Sequence, residues 1–164
     1  MFGVQVINNK RKMLEELNRC VYIYCGEIVN KKPLSRKRKK RNVNSKSKVK
    51  SSFWDYPAMA SVCKWVGNNK KYRGCSKKAN DSNYPDSILK KELLLLGSIG
   101  SSNKKFCKYP IGNCAEPHAA RELLKNERHC RDLKDIHFSV AMRPRTREIF
   151  PPCENCKRVF PTLR

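Results

Sequence analysis

Two short segments carry side chains whose types and spacing could do chemistry: Cys114-Ala115-Glu116 and Pro152-Cys153-Glu154-Asn155-Cys156. Two cysteines separated by two residues at a helix N-terminus can chelate one ion, because the first turn brings both sulfurs to the same side. The helix dipole and the free N–H groups there favour the thiolate form. Cys114, also at the start of an expected helix, adds a third thiolate if the two helices lie side by side. Three protein ligands with an open fourth position describe a catalytic zinc site rather than a closed structural one. Water in that position has a pKa of about 7, so hydroxide is available at neutral pH. Glu116, two residues beyond Cys114, sits close to the metal without being obliged to ligate it. It can take a proton from the water and hand it to a ring nitrogen, then to departing ammonia. Attack at C4 of cytosine or C6 of adenine suits this arrangement.

Two other ligand sets compete. Cys107, seven residues before Cys114, could join Cys114, Cys153 and Cys156 in a four-thiolate site that needs neither Glu116 nor an open position. His118, one helical turn after Cys114, could replace the missing fourth ligand. The reading with Glu116 accounts for more residues at once, and His118 then falls beside the site or at the surface.

Cys114-Ala-Glu116 followed by Pro152-Cys153-Glu-Asn-Cys156 resembles the cytidine deaminase superfamily, whose zinc signature is H-x-E or C-x-E and then P-C-x-x-C. The stretch Gly112-Asn-Cys-Ala-Glu-Pro-His-Ala119 is similar to the C-A-E-P form of the YwqJ-like polymorphic-toxin deaminases and their eukaryotic relatives. The resemblance runs from about Phe53 to Phe160 and implies an α/β, three-layer fold: a mixed sheet (a hairpin plus a further strand) flanked by helices. It also implies Zn2+ on Cys114, Cys153 and Cys156, Glu116 as catalytic residue, and nucleobase deamination, with cytosine the usual base. The pattern departs from the family in two places. Residues 76–110 would be an insertion, and the chain is C-terminally short of the one or two strands that usually follow the P-C-x-x-C helix.

The elements that must position these residues are legible in outline. Residues 1–30 read as a helical lead segment, with Met13, Leu14, Leu17, Val21 and Tyr24 at three- and four-residue spacings. Residues 31–52 are low in complexity and read as a disordered linker, too polar to offset ordering entropy. Residues 53–164 read as the folded domain. In it, 58–66 and 70–75 predict a hairpin across Gly67-Asn68-Asn69, and 87–96 a helix ended by Gly97. Asn113 is the expected cap of a helix from Cys114 to about Asn126, with Pro117 in its first turn. Ile136 to Met142 predicts one strand with Ile136, Phe138, Val140 and Met142 on one face, and Cys153 to about Phe160 a last helix stopped by Pro161.

Charge points to the partner. The 164 residues carry 37 Lys plus Arg against 14 Asp plus Glu, a formal +23. Eleven of the basic residues fall in 31–50, which has no acid, leaving +12 elsewhere. Such a balance favours an anionic polymer, single-stranded DNA or RNA, over a free nucleoside that offers no phosphate, and over a membrane surface. Arg36, Lys37, Arg38, Lys39, Lys40 and Arg41 form a tract that can act as a nuclear localisation signal or a phosphate-binding tail. Arg143, Arg145 and Arg147 stand just before the second motif, where they could meet phosphates at the site mouth. Trp54, Tyr56, Trp65 and Tyr72 are core residues or base-stacking platforms. Nine cysteines, unevenly spaced, with no signal peptide and no apolar run of membrane-spanning length, indicate an intracellular protein in a reducing compartment. The expected activity is therefore zinc-dependent hydrolytic deamination of a base in a single strand. A free cytidine or nucleotide deaminase and a non-catalytic zinc nucleic-acid-binding module are the alternatives.

Overall fold

The computed structural model describes residues 2–31, 57–85, 87–102 and 106–164, with side chains from residue 7 onward. The basic tract Arg36 to Arg41, the rest of the expected linker, Trp54 and Tyr56 lie outside the described residues.

The chain folds as α/β, with one five-stranded sheet between helices. β1 (Ala60–Trp65) is its centre. The Gly67-Asn68-Asn69 turn returns the chain into β2 (Tyr72–Cys75), antiparallel to β1 with Cys63 opposite Tyr72. On the other side of β1 run β3 (Ile136–Phe138) and β4 (Ala141–Met142), and β5 (Ile149–Phe150) pairs with β4. Among the described residues every pairing is antiparallel, so the expected mixed sheet is corrected. β2 and β3 point the same way, but β1 lies between them, and no parallel pair is hydrogen bonded among the described residues.

The two faces of β1 follow the alternation in its sequence. Ala60 and Val62, with Met142, are covered by Leu17, Val21 and Cys25 of α1 (Phe2–Asn30). Burying a leucine or valine in this way stabilises by roughly 1.5–3 kcal/mol each. The lead segment is thus one layer of the fold, and its β-prone stretch Val21 to Tyr24 stays helical, with Val21 and Tyr24 packed on the sheet and Tyr22 and Ile23 exposed. Cys63, on the opposite face, joins the larger core with Ala119, Ala120 and Leu123 of α3 (Ala115–Asn126). Trp65 and Tyr72 pack against that core, which makes them core rather than stacking residues. α2 (Ile88–Leu96), capped by Ser87 and ended by Gly97, and α4 (Glu154–Val159) complete this layer.

The single strand expected over 136–142 is broken. Phe138 opposes Cys63 while Met142 opposes Ala60, so four residues on one side match three on the other, a β-bulge. At the bulge Ser139 Oγ accepts from the Val62 amide at 2.9 Å, and the freed Val140 amide donates to Asn18 Oδ1 of α1 at 2.9 Å. The extra residue reverses the facing: Ile136 and Phe138 enter the larger core, Val140 and Met142 the α1 side. The expectation that all four share a face is corrected accordingly.

Gly74 sets how closely the helical layer approaches. A Cβ there would overlap the Ala115 carbonyl oxygen and the Ala119 amide nitrogen, and would stand 2.8 Å from Ala119 Cα. Only glycine lets β2 run directly beneath the first turns of α3.

Candidate metal centre

Both cysteines that open a helix occupy the N-cap in the same extended conformation. Cys114 has φ −67° and ψ 161°, Cys153 φ −75° and ψ 164°, and neither side chain caps its helix. An N-cap sulfur that does not fold back onto its own amides is left to point outward. The two helices start side by side, and Cys156, one turn into α4, completes the group. The Sγ atoms of Cys114, Cys153 and Cys156 all lie within 4.8 Å of one another, with Cys114 and Cys153 3.4 Å apart.

This cluster could hold a metal ion. Sulfurs bound tetrahedrally at about 2.3 Å stand about 3.8 Å apart, close to the 3.4 Å between Cys114 and Cys153 and inside the 4.8 Å that contains the group. Thiolates favour zinc, copper(I) or iron over magnesium or calcium.

Without an ion, the three sulfurs share their charge unevenly. The thiols of Cys114 and Cys156 donate to Cys153 and hold its pKa well below the usual thiol range, with Cys107 acting in the same direction. The contact with Cys153 pushes the Cys114 thiol up, and the contacts with Cys114 and then Cys153 push the Cys156 thiol up. Cys107 is buried beside Cys153, yet the group of mutually close sulfurs does not include it.

Glu116 is the unusual member. It lies in the first turn of α3, only 4% exposed, and its Oε2 accepts from Cys156 Sγ at 3.7 Å. Burial raises its pKa, and the negative charge on Cys153 adds to the rise. A carboxylate out of water beside thiolates is costly unless a cation or a proton compensates it. The donor set and this carboxylate together fit a metal cation at the cluster.

The turn before α3 is held by the segment 76–85, the first part of the stretch 76–110 that reads as an insertion against the family resembled. Asn113, expected as the helix cap, instead receives the Lys77 amide on its carbonyl (3.0 Å) and the Ala79 amide on Oδ1 (2.9 Å). Cys114 takes the cap position in its place. Tyr84 donates its hydroxyl to the Gly112 carbonyl at 2.6 Å, and Gly112 sits at φ +81°, where a side chain would be strained. His118 is 2% exposed, stacks on Tyr84 at 5.8 Å and places Nε2 3.3 Å from the Lys77 carbonyl. It is not in the sulfur group, and burial pulls its pKa down to about 4. Its Nδ1 is buried without a partner among the described residues.

The arginines of 143–147 go elsewhere. Arg147 donates to the Tyr22 carbonyl at 2.6 Å and lies over the Tyr22 ring at 4.7 Å, so its side chain lies against α1, across the sheet from α3. Arg143 pairs with Glu148 at 2.9 Å and covers Phe150 at 4.6 Å, while Arg145 is exposed. Arg143 is thus engaged within the β4–β5 hairpin and Arg147 against α1.

Asn155 is the residue that sequence reasoning missed. It lies between the two cysteines of α4, is 6% exposed, and donates Nδ2 to the Tyr109 carbonyl at 2.9 Å. Its position inside the C-x-x-C turn was the available signal, since one of the two intervening residues must face inward. No helix among the described residues is long and apolar enough to cross a membrane. Comparison of the chain with protein-family models, with curated proteins and with solved structures returned no match.

Proposed function

We propose that this chain is a zinc-dependent hydrolytic deaminase acting on a base, cytosine first, in single-stranded DNA or RNA. The observation that carries the reading is Glu116, a buried carboxylate 3.7 Å from Cys156 Sγ. A purely structural thiolate site has no use for it, and a proton-transfer reaction needs one.

Cys114, Cys153 and Cys156 would hold the ion. Zinc, when bound, supplies Lewis-acid activation of water at neutral pH. Glu116 accepts one proton from the water whose oxygen bonds to C4, holds it on Oε2 in a setting that already raises its pKa, and delivers it to N3 of the base; it then passes that water's second proton to the amino group as the C4–N bond breaks. Water and cytosine become uracil and ammonia, and Glu116 ends as it began. The flanking helix N-termini favour the thiolates over thiols and so favour metal retention at pH 7.

A second reading is favoured by Cys107, buried next to Cys153: a closed four-thiolate module that binds nucleic acid without chemistry. One experiment separates the two. Zinc-loaded protein and its Glu116→Ala variant are incubated with single-stranded DNA, single-stranded RNA and free cytidine, and uracil is measured. The proposal expects uracil from a polymer with the parent protein and none with Glu116→Ala. No uracil from any of the three would overturn it, and conversion of cytidine alone would overturn the polymer substrate.

A further inference from the structure

The segment that leads into Cys114 carries an aromatic and basic cluster that the proton-transfer chemistry does not use. Phe106 and Tyr109 are 47% and 46% exposed, while Cys107 between them is buried against Cys153. Each ring has a cation on its face: Arg158 lies 4.6 Å from the centroid of Phe106, and Lys108 Nζ 5.2 Å from that of Tyr109. Arg158 belongs to α4, two residues beyond Cys156. Tyr109 is tied to the same helix through Asn155 Nδ2 at 2.9 Å from its carbonyl. Glu154, the acid of this helix's first turn, is engaged by Lys157 at 2.8 Å. The cluster is thus built onto the two segments that supply the sulfurs, rather than lying on a remote surface.

Exposed large aromatics cost apolar area in water, and cations beside them repel a second basic surface. Together they fit one chemistry: bases that stack on planar groups, joined by phosphates that meet the charges. A guanidinium stacked on a ring also offers its own outer plane to a base. We infer that Phe106, Lys108, Tyr109 and Arg158 form a stacking platform for the nucleotides of a single strand flanking the metal centre. This inference deepens the proposed function and takes its polymer substrate from that reading, but it concerns binding, which can be measured without turnover.

The test uses the full chain and three fluorescent probes: an oligothymidine, the same length of abasic strand, and a duplex. Binding to residues 31–50 through phosphates alone is common to all three, so the difference between oligothymidine and abasic strand isolates stacking. The parent protein binds oligothymidine more tightly than the abasic strand and the duplex. Phe106→Ala with Tyr109→Ala weakens oligothymidine binding by about tenfold or more and removes the preference over the abasic strand. Phe106→Tyr with Tyr109→Phe restores it, which separates stacking from damage to the fold. Lys108→Ala and Arg158→Ala each lower the slope of log affinity against log salt by about 0.7. Equal binding of oligothymidine and abasic strand by the parent protein, or unchanged binding by the double alanine variant, would overturn the platform. If uracil still forms from the polymer, that failure leaves the deaminase reading standing. A platform that passes these tests in a protein that yields no uracil would overturn only the enzyme reading.

Discussion

Oε2 of Glu116 and Sγ of Cys156 lie 3.7 Å apart although they come from different helices, α3 and α4, each in the first turn of its element. The contact brings a buried carboxyl group against the sulfur cluster while leaving it outside the group of three mutually close sulfurs. Glu116→Gln, which keeps the shape and removes the charge, should therefore leave the metal content at the parent level. It should lower uracil formation by about a hundredfold or more. Cys156→Ser should lose the metal itself. Elemental analysis of the purified variants, run beside the uracil assay, checks both; loss of metal in Glu116→Gln would make the carboxylate a ligand.

Gly74 determines whether α3 can start where it does. Gly74→Ala forces β2 and the first turns of α3 apart, since the new methyl would meet backbone atoms of Ala115 and Ala119 that have no rotamer to change. The expected cost is about 2 kcal/mol, read by urea unfolding, together with weaker metal retention, because Cys114 moves with the helix. Gly74→Ala with parental stability and metal content would show that the close approach does not position Cys114.

Much of this arrangement was legible in the residues themselves. The hairpin, the caps of α2, Pro117 in the first turn of α3 and the two motif segments follow from local rules about turns, periodicity and helix ends. What was not legible depends on partners distant in sequence. Asn113 reads as a helix cap, but Lys77 and Ala79 occupy its acceptors, so Cys114 becomes the cap and its sulfur faces Cys153. The bulge at Ser139 depends on Val62 and Asn18, and nothing within 136–142 announces it. Arg147 reads as a phosphate contact from charge alone; only the packing of α1 shows that Tyr22 takes it.

His118 should make the fold sensitive to acid. Its pKa of about 4 lies below the ordinary 6.5 because burial disfavours the imidazolium. A group depressed on folding contributes stability that is present above pH 6.5 and lost as pH falls towards 4, here on the order of 2 kcal/mol. The metal-free protein should lose thermal stability across that window more steeply than its His118→Gln variant, whatever the variant's stability at pH 7. Histidine resonances followed by NMR give the direct check: a His118 that titrates near pH 6.5 would contradict the burial account.

The open three-thiolate centre is the claim on which the rest depends, and X-ray absorption at the zinc edge of the zinc-loaded full chain tests it most directly. The account predicts three sulfur scatterers and one lighter oxygen or nitrogen scatterer per zinc, unchanged in a Cys107→Ser variant. Four sulfurs in the parent protein, falling to three in Cys107→Ser, would contradict it and make the site a closed structural one.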